Sequence, residues 1–160
     1  MTLKTQNNQI LTQLEEVLKN LSEQQYTKPA AELEGATIGQ HIRHIINFYE
    51  QLTNSFHTRK VNYDLRNRHI EIETSPQKAL QALKQIRQSF DKTPEDYPLT
   101  VQSEVFQDSY ESSFYREWLY VLEHTIHHMA IIKHVLTRVM QIPLPPDFGV
   151  APSTLLAKQN

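Results

Sequence analysis

The chain has 160 residues, and its 16 basic and 18 acidic side chains are interspersed and nearly cancel. This balance offers no basic face to nucleic acid or to an anionic membrane, so we expect neither as a partner. The length fits a single domain over residues 1–160, and the absence of cysteine excludes disulfides. The sequence begins without an apolar signal core and has no apolar run of the ~20 residues that a membrane span needs, so we expect a cytoplasmic protein.

The first predicted helix follows apolar residues spaced by three and four between Ile10 and Leu21. Gln, Glu and Lys side chains separate them and leave the opposite face solvated. The pattern fades before Pro29, which disfavours helical backbone at Lys28. We therefore expect one amphipathic helix of a bundle, followed by a connection.

The second predicted helix carries two histidines. Thr37 is a suitable N-cap, and apolar residues at alternating steps of four and three extend the helix to about His57. On a helical wheel, His41 and His44 lie on one flank of the apolar stripe, with His41 nearer its centre. Both are therefore placed to face the edge of a helical core.

Helical periodicity is lost between Arg59 and Thr74, where both charge signs are mixed. We interpret this segment as an ordered loop. It is longer than the usual connection in a compact domain, which favours either a crossover between distant helix ends or a functional role. The segment contains a group of three charged residues, Asp64, Arg66 and Arg68. Such a group is more typical of a solvated ion-pair network than of a substrate site.

The third predicted helix has Ser75 as its N-cap and Pro76 in its first turn, and it runs to about Asp91. Pro94 and Pro98 then break the pattern. Residues 99–105 alternate apolar with polar side chains, which predicts a short extended segment or a small hairpin. No other stretch has strand periodicity, so we do not expect a sheet domain.

The fourth predicted helix begins near Ser112 or Ser113, runs to about Gln141 and is stopped by Pro143. The proline-rich tail that follows cannot continue this helix. Three apolar residues in the tail are expected to pack back onto the bundle, namely Leu144, Phe148 and Val150. The four apolar stripes together predict an all-α protein.

Three of the eight histidines fall within five residues of the fourth helix. His124 and His128 are four residues apart and therefore lie on one face, which they share with Glu117, whereas His127 lies on the opposite flank. This pair, with a histidine from another helix, gives three neutral nitrogen ligands and leaves a position open, which is the pattern of a catalytic metal site. Zinc suits three imidazoles, and nickel, iron and copper suit them too.

Two alternatives remain open from the residues alone. A His-x-x-x-His pair is common by chance, and taken by itself it favours a core or surface role. Its occurrence together with His41 and His44 favours the metal site, but either of these two could supply the third ligand. Glu117 could accept the second ring N–H of a ligand as an outer partner.

Two histidine motifs also carry a family resemblance. They are Thr37-Ile38-Gly39-Gln40-His41-Ile42-Arg43-His44 and His124-Thr125-Ile126-His127-His128. Together they resemble the DinB-like (DinB/YfiT-like) superfamily of metal-dependent enzymes. The resemblance implies an up-down-down-up four-helix bundle, often a homodimer, in which three histidines surround a divalent ion. In the family pattern a histidine lies seven residues after the Thr or Ser that opens the second helix.

That pattern assigns the metal ligands to His44, His124 and His128, with His41 as a reserve ligand or an outer partner. The resemblance implies a divalent ion, and among the metals that suit imidazoles we expect zinc or nickel. This chain departs from the family where Met129-Ala130-Ile131-Ile132 stands in place of Arg-Gln-type residues.

The better-known members resemble metal-dependent transferases that join a low-molecular-weight thiol to an electrophile, or isomerases that use such a thiol. The resemblance therefore implies a thiol S-transferase that acts on small electrophiles, with the thiol as co-substrate. The alternative is a non-enzymatic metal-binding or stress-associated interaction protein. A solvent-connected pocket above the histidines distinguishes the two, because an enzyme needs one.

Overall fold

A computed structural model describes residues 2–65, 67–91 and 95–157 of the chain. Arg66 of the predicted charged group and Pro94 of the predicted break lie outside these residues. The described α-helices are α1 (Leu3–Lys19), α2 (Glu23–Thr27), α3 (Ile38–Thr58), α4 (Ile70–Thr74), α5 (Pro76–Ser89), α6 (Phe114–His134) and α7 (Pro152–Ala157). The described strands are β1 (Lys60–Val61), β2 (Pro98–Ser103) and β3 (Asp108–Ser113). A 3-10 turn spans Ala31–Leu33, and a π-helical turn, Val135–Val139, ends α6.

The four long helices pack around one apolar core. Helix α3 contacts α5 and α6, and α1 contacts the same two helices. Ring contacts run from His41 with His128 at one end to Phe56 with Phe114 at the other, so α3 and α6 are antiparallel. The prediction of a mainly helical protein is confirmed. Within the described ranges, none of the helices combines the length and apolar character needed to cross a bilayer.

Side-chain caps fix where three of these helices begin. The Thr37 hydroxyl accepts a hydrogen bond from the Gln40 backbone N–H, and the Gln40 side chain accepts one from the Thr37 N–H, both at 3.0 Å. Ser75 caps α5, which has proline in its first turn, and Ser113 caps α6. The three helix starts predicted at these residues are confirmed.

A small sheet makes the all-α prediction wrong in detail. Strands β2 and β3 form an antiparallel hairpin whose pairs run from Pro98 with Ser113 to Ser103 with Asp108. The predicted hairpin region is thus confirmed. Strand β1 pairs in parallel with β2, with Lys60 opposite Thr100. The segment between Arg59 and Thr74, predicted to be only a loop, instead contains β1 and α4. Partners distant in sequence stabilise both elements, so local periodicity does not reveal them.

Helix α4 docks closely on the first turns of α3. A Cβ atom at Gly39 would lie 2.0 Å from the Glu73 carbonyl oxygen, so only glycine permits this approach. The Arg43 guanidinium also forms a salt bridge with the Glu73 carboxylate at 2.6 Å. This docking holds the part of α3 that carries His41 and His44.

The C-terminal tail completes the core, as predicted for Leu144 and Phe148, whereas Val150 is half-buried and outside that core. Phe148 is fully buried, and Leu144 packs against the same cluster. The Lys133 ammonium donates a hydrogen bond to the Phe148 carbonyl at 2.8 Å. At Gly149, where φ is +63°, a Cβ atom would lie 2.7 Å from the Ala130 backbone nitrogen. The tail therefore lies directly against the backbone of α6. Its end forms α7, which the sequence analysis did not predict.

Candidate metal centre

Three histidines from two helices converge at one point. His44 Nε2 lies 2.8 Å from His124 Nε2, and His128 Nε2 lies 3.1 Å from the same atom. All three residues are half-buried, and each offers a ring nitrogen within 4.8 Å of the other two. The spacing of four residues on α6 stacks His124 above His128, and the antiparallel α3 brings His44 against them.

His41 occupies a different position. Its Nδ1 atom lies 2.9 Å from His128 Nδ1, the ring nitrogen that faces away from the convergence point. The structure therefore places His44, and not His41, against His124. A helical wheel shows only how close His41 and His44 lie to the apolar stripe of α3. It does not show on which side of that stripe α6 packs, and this position decides which of the two faces His124. His127 is exposed and does not belong to the converging group, although its ring lies 5.3 Å from that of His128.

Burial and mutual repulsion lower the pKa values of three of these histidines. The pKa of His128 is lowered to about 3, first by burial and then by the neighbouring His44, His124, His41 and His127. Burial, and then His127, also lowers the pKa values of His41 and His124. These shifts favour the unprotonated rings of His41, His124 and His128, which is the state that binds a metal.

The nitrogen spacing fits a metal ion. Two nitrogens bound tetrahedrally to zinc at ordinary bond lengths lie about 3.3 to 3.4 Å apart. The separations of His124 Nε2 from His44 Nε2 and His128 Nε2, 2.8 and 3.1 Å, are shorter by a few tenths of an ångström. A small rotation of the rings accommodates the ion, so the donor set suits a divalent metal.

An aromatic wall supports the histidines from one side. Phe48 stacks on the His124 ring at 4.1 Å between centroids and on the Tyr63 ring at 4.7 Å. Tyr120 packs against Tyr63 at 5.4 Å. These contacts restrict the orientation of the His124 ring.

A cleft of about 500 Å³ opens to solvent above His44 and His124. An adjoining cavity of about 530 Å³ shares three of its lining residues with the cleft, namely Tyr63, Asp64 and Tyr120. Neither tyrosine is predicted from the sequence to belong to the site. Tyr63 and Asp64 lie in the segment between Arg59 and Thr74, whose length favours either a crossover or a functional role, and this was the available signal. The solvent-connected pocket that an enzyme requires is present.

The hairpin is tied to this cleft by polar contacts. The Asp64 carboxylate accepts hydrogen bonds from the Ser103 hydroxyl at 2.7 Å and from the Val105 backbone N–H at 3.2 Å. The Asn62 amide donates to the Glu104 carboxylate at 3.1 Å. Asp64, predicted to belong to a solvated ion-pair network, thus helps to shape the cleft.

Glu117 is buried at the edge of the adjoining cavity. Its carboxylate accepts a hydrogen bond from the Ser112 hydroxyl at 2.6 Å. It lies two helical turns before His124, and its role as an outer partner of a metal ligand stays a prediction.

Comparison with known proteins identifies the family. FK506-binding protein 5 of Rhizopus delemar is 34% identical over 103 residues, which are 59% of this chain and 26% of that protein. The chain thus spans about a quarter of the length of this curated relative. No solved structure matches the chain significantly. The model of the DinB superfamily matches residues 6–132, which include the three converging histidines. The chain therefore belongs to the DinB superfamily.

Proposed function

We propose that the protein binds one divalent metal ion, zinc or nickel by preference, through His44, His124 and His128. The observation that carries this proposal is the convergence of three ring nitrogens, with separations of 2.8 and 3.1 Å from His124 Nε2. Structural zinc sites are closed by four protein ligands, whereas catalytic sites use three and keep one position open. Three histidines beneath an open cleft match the catalytic arrangement.

The reaction that we propose is the transfer of a thiol to a small electrophile, in which a carbon–sulfur bond forms as the leaving group of the electrophile departs and the thiol proton passes to solvent. A bound divalent ion supplies Lewis acidity, which lowers the pKa of a thiol and makes it nucleophilic near neutral pH. The chain has no cysteine, so the thiol belongs to a co-substrate. The cleft above His44 and His124 is the place where thiol and electrophile meet.

His41 has a positioning role in this proposal. Because His128 Nε2 faces the centre, His128 carries its proton on Nδ1. The Nδ1–H group donates a hydrogen bond to His41 Nδ1, which lies 2.9 Å away. His41 then carries its own proton on Nε2. This hydrogen bond holds His128 in the tautomer that presents a lone pair to the centre.

Phe48 and Tyr63 give the electrophile an apolar surface beside the histidines. Phe48 stacks on the His124 ring, Tyr63 stacks on Phe48 at 4.7 Å, and both line the cleft. In this proposal the apolar part of the electrophile packs on these rings.

Family membership supports two further proposals. The first is that the four long helices follow the up-down-down-up order, in which the second and fourth are antiparallel, as α3 and α6 are. The second is that two copies of the chain form a homodimer.

Metal analysis of protein purified without an affinity tag tests the metal proposal. We expect one ion per chain in the wild type and none in a His124→Ala, His128→Ala double variant. His57→Ala is the matched control, because His57 is an exposed histidine on the same helix as His44. Equal metal content in all three proteins would refute the ligand assignment.

The metal-loaded protein is then mixed with 2-mercaptoethanol and 1-chloro-2,4-dinitrobenzene, and thiol consumption is followed. We expect a rate above that of the free metal, and we expect the double variant to lose it. If the wild type binds metal but consumes no thiol with this or other electrophiles, the transferase proposal fails and the metal proposal stands.

A further inference from the structure

The cleft and its adjoining cavity carry an excess of negative charge. Their described lining residues include four carboxylates, those of Asp64, Glu104, Glu111 and Glu117, and one guanidinium, that of Arg116. The whole chain has a net charge of only −2, so this excess is local. Low-dielectric walls concentrate the field of such charges and attract a ligand of opposite sign.

Glu117 and Tyr63 place polar atoms at the inner end of the cavity. Glu117 is 6% exposed, and its carboxylate lies close enough to Tyr63 to add to the effect of burial in raising the pKa of that phenol. The Tyr63 hydroxyl is placed to donate to that carboxylate. No group among the described residues donates a hydrogen bond to the buried hydroxyl oxygen itself. A buried polar atom of this kind calls for a partner, and a bound ligand can supply one.

Aromatic rings line the same space. Tyr63 and Tyr120 border both the cleft and the cavity, and Tyr110 and Phe106 line the cavity. The faces of such rings attract cations. Arg116 already illustrates this property, because its guanidinium carbon lies 5.7 Å from the centre of the Tyr120 ring.

We propose that the joined cavities bind an organic cation, a small substrate that carries an ammonium group beside an apolar body. The ammonium group donates hydrogen bonds to the Glu117 carboxylate and to the Tyr63 hydroxyl oxygen, and the apolar body packs on the aromatic rings. This inference rests on the proposed function, because the same cleft opens onto His44 and His124. It adds the substrate class: one of the two reactants is an amine.

Three probes of one shape and different charge test the proposal. They are 2-phenylethylammonium, 2-phenylethanol and 3-phenylpropionate, titrated into the metal-free and the zinc-loaded protein by calorimetry. We expect the ammonium probe to bind about tenfold tighter than the alcohol, and the carboxylate to bind most weakly. Added salt should reduce the difference. Equal affinities, or a preference for the carboxylate, would overturn the proposal.

Variants locate the binding site of the probe. Glu111→Gln, on an exposed strand, and Glu117→Gln should each weaken binding of the ammonium probe several-fold and leave binding of the alcohol unchanged. Glu32→Gln removes the same charge from an exposed turn that does not line either cavity, so it should change neither. If Glu111→Gln and Glu32→Gln have the same effect, the ammonium binds elsewhere and the proposal is wrong.

A ligand variant separates this proposal from the metal proposal. His124→Ala should lose metal but still bind 2-phenylethylammonium, because the ammonium contacts are to Glu117 and Tyr63. Failure of metal binding alone in the wild type would refute the metal centre and leave the cation site. Failure of the ammonium probe alone would refute the cation site and leave the metal centre.

Discussion

Helices α3 and α6 lie side by side, and their two ends contain different kinds of side chain. At one end Phe56 packs on Phe114 at 5.5 Å, and Trp118 is buried in a stack with Phe90 at 4.9 Å. At the other end four half-buried histidines meet, and two of them, His44 and His124, border an open cleft. One antiparallel helix pair thus provides both a stabilising core and a polar cluster of imidazoles.

The difference shows how this fold divides its tasks. The aromatic end removes large apolar surfaces from water, which is the main favourable contribution to folding. The histidine end places several imidazoles where protonation is unfavourable, so it contributes less to stability and is suited to binding a cation. Stability and chemistry should therefore be separable by mutation.

The largest expected effect on stability is at the aromatic end. Trp118→Ala should lower the free energy of unfolding by about 3 to 5 kcal/mol, because it leaves a large cavity in the core. In the metal-free protein, His128→Ala should change the free energy of unfolding by less than about 1 kcal/mol. Urea unfolding followed by circular dichroism measures both. If the two losses are similar, the two ends do not divide stability and chemistry as described.

The next effect concerns metal affinity. Each of the substitutions His44→Ala, His124→Ala and His128→Ala should weaken zinc binding by more than about 100-fold, since even outer partners contribute 10- to 100-fold. Competition with a chromophoric chelator provides the measurement. Trp118→Phe, at the aromatic end, should retain the wild-type affinity. An equal loss in that variant would mean that the centre depends on global packing and not on these nitrogens.

A smaller effect is expected at His41. His41→Leu removes the acceptor for the His128 Nδ1 proton and should weaken zinc binding by about 10- to 100-fold. His41→Gln offers an amide oxygen as acceptor and should recover part of that loss. The nitrogen chemical shifts of His128 report its tautomer and provide a readout apart from affinity. Unchanged shifts and affinity in His41→Leu would show that His41 has no positioning role.

The smallest effect is a pH dependence of stability. The folded-state pKa values of His41, His124 and His128 are lowered, so below about pH 6.5 the unfolded chain binds more protons than the folded one. Metal-free protein should therefore lose stability as the pH falls from about 6.5, and should show no such change above that value.

Metal-loaded protein should lose stability more steeply in acid, because protons also displace the ion. The double variant His124→Ala, His128→Ala should remain folded, show the flattest profile and not respond to metal. Thermal melts between about pH 5 and 8, with and without zinc or nickel, test this. If metal shifts neither melting curve at any pH, these histidines are packing or surface residues, and the enzymatic proposal fails with the metal.

The sequence predicts the long helices well because their signals are local. Thr37, Ser75 and Ser113 combine capping side chains with an apolar period that begins directly after them. Strand β1 and helix α4 escape prediction because their stability comes from distant partners, in particular the pairing with β2 and the contact between Gly39 and Glu73.

The candidate site is predictable to a similar extent and for similar reasons. The i, i+4 spacing alone places His124 and His128 together. Choosing between His41 and His44 requires the position of α6 relative to α3, which a wheel drawn for one helix does not contain. The contributions of Tyr63 and Tyr120 to the cleft depend on how the segment after α3 and the hairpin are folded onto the bundle.

The tail has a practical consequence for anyone who shortens the gene. The family match ends at residue 132, but the fully buried Phe148 belongs to the same core as the helices. The neighbouring Asp147 carboxylate accepts hydrogen bonds at 2.9 Å from Gln9 and Gln13 on α1. A gene cut at the family boundary would expose apolar surface on the helix that bears His124 and His128, and the product would tend to aggregate. The useful expression boundary therefore lies beyond Gly149, the last of these residues to pack against α6.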